Sequence, residues 1–170
     1  AAPTVTLPPD YSKELSDAKF VAITLVDGRE SPDPVNTVYN KTTLKKAIQT
    51  ANNLTALNVA ITNEKLAFAQ ANAINSLKVD GSTAPEASEA YSFAPTYSKA
   101  NFESRITTAT SVTDVDIAKT AASVAYNSAF DSKKTKLKQE FNDTPYGDWD
   151  KYTAGDAVDA LNPSDKLPQD

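Results

Sequence analysis

The chain has 170 residues, enough for one domain with a sizeable core, and a formal net charge of −5. It contains no Cys, no His and no Met, which removes disulfides, thiolate nucleophiles, cysteine-based zinc sites and the commonest general base and metal ligand. The acidic balance disfavours a nucleic-acid partner, and the longest apolar run, Phe20 to Val26, falls far short of the roughly 18 residues of a membrane span.

Residues 1–10 read as an extended tail. Ala1-Ala2-Pro3, with no initiator Met, fits a chain cut beside small residues, as signal peptides are, so a secreted or cell-surface protein is expected. From Tyr11 onward, Leu15, Ala18, Ala22 and Leu25 recur at helical spacing. The β-branched run over 20–26 leaves one short strand there as the alternative. Val26-Asp27-Gly28 then reads as a helix C-cap or turn. Neither Asp27-Gly28 nor Asp80-Gly81 has the alternating oxygen ligands of a calcium loop, so no metal and no cofactor is expected.

Proline and glycine punctuate the rest of the chain. All ten prolines lie within 1–34, at 85 and 95, or from 145 onward, so 35–84 and 96–144 are free to run as helices. These two windows resemble each other at an offset of 58 residues. Over repeats 39–76 and 97–134, ten of 38 positions are identical, among them Tyr39/Tyr97, Lys41/Lys99, Ile48/Ile106, Thr55/Thr113, Ala60/Ala118 and Ala71/Ala129. Chance would give roughly 3 in this Ala/Thr-rich composition. Conservative pairs such as Leu44/Phe102, Leu57/Val115 and Phe68/Tyr126 fall at core-type spacing. Val26-Asp27-Gly28 is echoed by Val79-Asp80-Gly81, and each precedes a Tyr-x-Lys start.

Each repeat reads as a helix hairpin. Leu44, Ala47, Ile48 and Ala51 form one apolar stripe, and Phe102, Ile106 and Ala109 form its counterpart. Thr55 and Thr113, each followed three residues later by Asn58 or Asp116, predict the N-caps of the second helices. Leu57, Ile61, Phe68 and Ala71, and in the other copy Val115, Ala118, Ala122, Ala125 and Ala129, supply the facing stripes. The expected fold class is mostly all-α: an antiparallel helix bundle built from two repeated hairpins. It occupies 11–152 as a single helical domain, with 153–170 as a C-terminal tail.

Leu44-Lys-Lys-Ala-Ile48 with Ala51-Asn-Asn-Leu54, and Tyr97-Ser98, Phe102 and Thr113-Asp-Val-Asp116 in the second copy, resemble the FIVAR-type helical modules of Gram-positive cell-wall proteins. The resemblance covers about residues 39–134, and Phe102 stands where such modules usually carry Trp. It implies an extracellular spacer or ligand-binding module with no catalytic residues to carry over.

The densest aromatic cluster is Tyr146, Trp149 and Tyr152, flanked by carboxylates. It suits stacking on a sugar or anchoring a partner, set against a structural role in which Trp149 folds back to cap the bundle. Tyr39 and Tyr97 open the repeats and read as packing residues. Lys133, Lys134, Lys136 and Lys138 read as a solvated basic face that complements a helix C-terminus. Asn40, Asn53 and Asn142 head sequons that matter only in a eukaryotic source. Glu64 is the one acid in an apolar stripe; a general-acid role is outweighed by pairing with a nearby lysine such as Lys65. No catalytic set is expected. The sequence therefore points to a non-enzymatic surface module for binding or spacing, whose partner is a protein or glycan at a cell surface or copies of itself. A structural subunit of a surface layer, filament or viral coat is the alternative.

Overall fold

The computed structural model describes residues 11–30, 38–78, 96–143 and 155–160. Among them there are six helices and no strand: α1 (Tyr11–Gly28), α2 (Lys41–Thr50), α3 (Leu54–Asn75), α4 (Lys99–Thr107), α5 (Val112–Asp143) and a short α6 (155–159). The chain divides into two compact units, Ala1–Asn75 with Ala109–Val112, and Ser76–Thr108 with Thr113–Asp170.

In the first unit, α1, α2 and α3 share one core. Ala22 and Val26 of α1 meet Ile48 of α2 and Leu57 and Ala60 of α3, with Leu15 and Ala18 packed beside them. The strand alternative for 20–26 is thereby settled as helix. Ala22 and Val26, four residues apart, are buried, whereas Val21 and Leu25 are exposed. That is a helical period, and burial along one stripe outweighs the β-branched propensity of the run. Cationic side chains close the helix ends. Lys19 Nζ donates to the Gln49 carbonyl at the end of α2, 2.8 Å, and Lys41 Nζ donates to the Asp27 carbonyl at the end of α1, 3.3 Å.

In the second unit, Tyr97, Ala122, Ala129 and Phe130 form the core, with Leu77, Phe102 and Tyr126 against them. Tyr97 stacks on Phe102 at 5.6 Å and meets Tyr126 edge-on at 5.3 Å. The distal part of α5 carries its own small cluster. Leu137 and Val158 are buried together, with Phe141 beside them, so within the segment read as a C-terminal tail, residues 155–159 are helical and packed. The lysine run serves this contact: Lys134 donates to the Asp159 carbonyl and Lys138 pairs with the Asp159 carboxylate at 2.7 Å, while Lys133 is buried. Among the described residues of that segment, Val158 is the apolar anchor.

Positions 58 residues apart occupy like settings in their own units. Asn40 and Ser98 both cap a first helix, accepting from the amides of Thr43 and Asn101. Ile48 and Ile106, Leu57 and Val115, and Ala71 and Ala129 are all at most 1% exposed. The second helices start at Leu54 and Val112. Their N-caps lie two residues earlier than the threonines suggest: Asn53 Oδ1 accepts from the Ala56 amide at 2.7 Å, and Ser111 holds the equivalent place. Thr55 and Thr113 are residues inside the first turn. The cause is local: an Asn or Ser immediately before an apolar residue competes better for the cap than a Thr two positions on.

Candidate functional site

The two units differ most where their registers match. In the first, Glu64 of α3 is 1% exposed, on the face that packs toward α1 and α2. Its Oε1 accepts the Tyr39 hydroxyl at 2.6 Å and lies 2.7 Å from Arg29 Nε. Arg29 Nη2 donates to Oε2 at 3.3 Å. The Nε contact is ionic rather than an aligned hydrogen bond, so Nη2 supplies the directed one. The guanidinium lies 4.1 Å over the Phe68 ring, and Tyr39 meets the same ring edge-on at 5.3 Å. Burial first, then the bond to Glu64 and its charge, push the Tyr39 hydroxyl well above its ordinary value, with Arg29 opposing.

A buried carboxylate needs a partner charge and hydrogen bonds to remain ionised at tolerable cost. Glu64 has both. Chemically the trio is a closed lock, because the donors that would activate a substrate are already engaged with one another. Sequence reasoning picked out Glu64 but paired it with Lys65, which is exposed. It missed Arg29, which stands in the linker 35 residues away. The available signal was the repeat itself: Glu64 matches Ala122 in register, an acid in one copy and a methyl in the other.

At the matching place in the second unit a cleft of about 210 Å³ opens. Tyr97, Ala122 and Tyr126, the register partners of Tyr39, Glu64 and Phe68, line it together with Leu77. Lys78 and Lys119 stand at its rim, with Ser123 and Asn127. Tyr97 sends its hydroxyl to the Lys78 carbonyl. Burial raises the Tyr126 hydroxyl above its ordinary value. A cleft also opens in the first unit, about 350 Å³, between α1 and α3, with Leu25, Ile61, Glu64 and Lys65 in its lining. Ile61, Glu64 and Lys65 are the register partners of Lys119, Ala122 and Ser123. Both repeats thus leave a recess on the same face of their second helix.

Tyr146, Trp149 and Tyr152, the candidates for ligand stacking, lie outside the described residues. Among the described residues no three His, Cys, Asp or Glu side chains gather as metal ligands, and no helix is long and apolar enough to cross a membrane. No protein-family model matches the chain, and no curated protein or solved structure matches it.

Proposed function

We propose that the chain is a non-enzymatic helical module, secreted or held at a cell surface, that binds a protein or glycan or spaces apart what it connects. The observation that carries this reading is the recess on the second helix of each repeat, apolar within and polar at its rim, the usual make-up of a binding site. The one buried acid, Glu64, is committed to Arg29 and Tyr39, which suits a scaffold better than a proton-transfer site. The resemblance to FIVAR-type modules points the same way. Probing the intact chain against glycan and extracellular-protein arrays tests it. Retention of a ligand without turnover is expected, and sustained cleavage of any glycan or peptide contradicts it.

A second reading, a structural subunit that contacts copies of itself, has one observation in its favour. Val59 and Ile117, 58 residues apart in register, are exposed at 55% and 58%, so the same apolar spot recurs in both copies. Light scattering over a rising concentration series tests it: growth in mass supports assembly, and a constant monomer mass rejects it.

A further inference from the structure

We infer that the groove between α1 and α3 of the first unit docks α1 of a second copy of this chain, antiparallel, so that two copies close into a dimer. This rests on the reading of that recess as a binding site and names its occupant.

α1 carries a seam that its own unit leaves open. Ala18, Val21, Leu25 and Gly28 follow one another at steps of three, four and three, the spacing at which one helix packs along another. The inner face of α1 is already used, since Ala22 and Val26 are buried with Ile48 and Leu57. Val21 and Leu25 keep 67% and 49% of their surface exposed. A Cβ placed on Gly28 would meet nothing within 4 Å, so the seam is open to its end. Beside it runs the recess of about 350 Å³, with Ile61 and Lys65 of α3 in its lining. Two helices flanking an apolar trough form the seat of one more helix, as in a four-helix bundle.

Charge selects the occupant and its direction. Glu64 reaches Arg29, just past the end of α1, so its neighbour Lys65 stands at the C-terminal end of the seam. Glu14 stands at the other end, in the first turn of α1 and one step of four before Ala18. Both side chains are exposed, and among the described residues neither has an ionic partner. Lay a second α1 antiparallel, with Val21 on Val21 of the other copy. Glu14 of each chain then falls at the Gly28 end of the other, where Lys65 stands. The twofold axis makes this pair twice. A parallel arrangement sets Lys65 against Lys65 and Glu14 against Glu14, and is repelled.

Area sets the strength. α1 has 18 residues, a length of about 27 Å. With the flank of α3 it offers a strip about 20 Å wide, two helix diameters. That is roughly 500 Å² a copy and roughly 1,000 Å² in all, the lower bound of a specific interface. The dimer is therefore weak, with a dissociation constant on the order of 100 µM.

Sedimentation of the intact chain from about 10 µM to about 1 mM spans that constant. The mass should rise from 18.2 kDa and level off at twice that value. Val21→Ser combined with Leu25→Ser should weaken the dimer at least about tenfold. Both side chains are exposed, so the melting curve should stay with the parent's. Phe20→Ser is the control. Phe20 is 72% exposed but lies about 100° round the helix from Val21, outside the seam, so its loss should leave the dimer intact. Lys65→Glu and Glu14→Lys should each weaken the dimer about fivefold. A chain carrying both changes should regain it, because the exchanged charges meet only across the dimer.

A mass that stays at the monomer up to about 1 mM overturns the inference. So does growth past the dimer, a dimer that survives the changes at Val21 and Leu25, one that is lost with Phe20→Ser, or a charge exchange that fails to restore pairing. A chain that retains array ligands yet stays monomeric loses this interface alone. A dimer that turns over an array substrate keeps the interface and loses the module reading.

Discussion

Glu64 is held by groups that come from two different stretches of chain, Arg29 beyond α1 and Tyr39 before α2. Its carboxylate therefore fixes the linker to α3, and removing either member leaves a charge buried without its counterpart. Glu64→Ala and Arg29→Ala should each cost about 3 kcal/mol, and the double variant distinctly less than their sum. Urea unfolding of the four chains measures this, and strict additivity would show that the pair is not coupled. Tyr39→Phe tests the third member and has a pH signature. An unfolded tyrosine titrates near pH 10, and in the folded chain the Tyr39 hydroxyl is held above that. The stability tied to this proton is complete below about pH 10 and is lost as the pH climbs above it, where the unfolded chain sheds the proton first. The variant should be less stable than the parent by about 1.5 kcal/mol at pH 8. That gap should narrow as the pH rises from about 10 to about 11, and a gap that stays constant would show that burial and Glu64 do not hold the Tyr39 hydroxyl above its ordinary value. Of this site the acid was legible in the sequence, since an acid within an apolar stripe stands out. Its partners were not, because a linker residue 35 positions away leaves no periodic trace.

The helices themselves were legible because the breakers are so unevenly placed. No proline falls within 35–84 or 96–144, and α2 to α5 all lie inside those windows. α1 was ambiguous for a physical reason: Phe20 to Val26 satisfies both a strand's composition and a helix's period, and packing of Ala22 and Val26 on Ile48 decides it. Helix starts were the least legible feature. A Thr with Asn or Asp three residues on resembles a cap, but the cap belongs to the polar residue directly before the first apolar one, Asn53 or Ser111. Asn53→Ala and Ser111→Ala should each lower stability by about 1 kcal/mol, whereas Thr55→Ala and Thr113→Ala should stay within about 0.5 kcal/mol of the parent. Thermal or urea midpoints of the four variants measure the contrast. A larger loss from the threonines than from Asn53 and Ser111 would put the caps back at 55 and 113.

Positions 58 residues apart share their deepest layer and differ in the one above it. The deep positions agree: Ile48 and Ile106 are both fully buried, and so are Leu57 and Val115 to within 1%. The layer above differs in kind. Phe68 is covered on one face by Arg29 and met on its edge by Tyr39, so its ring is packed on two sides. Tyr126 is met by Tyr97 and Phe130 but also borders the open cleft. The free energy of deleting a ring follows the packed surface it gives up and the void it leaves behind, and a face already bordering solvent-filled space gives up little. Phe68→Ala should therefore cost about 3 kcal/mol, because it removes a packed ring and the platform under a guanidinium. Tyr126→Ala should cost about 2 kcal/mol, since part of its space is open already. Ile48→Ala and Ile106→Ala, in the layer the repeats share, should cost alike, about 3 kcal/mol each. Chemical denaturation of these four variants separates the shared layer from the altered one. Equal losses at 48 and 106 with unequal losses at 68 and 126 place the divergence of the copies at the cleft. A Tyr126→Ala loss equal to or above that of Phe68→Ala would mean that the second recess is closed in solution, leaving no room there for a guest.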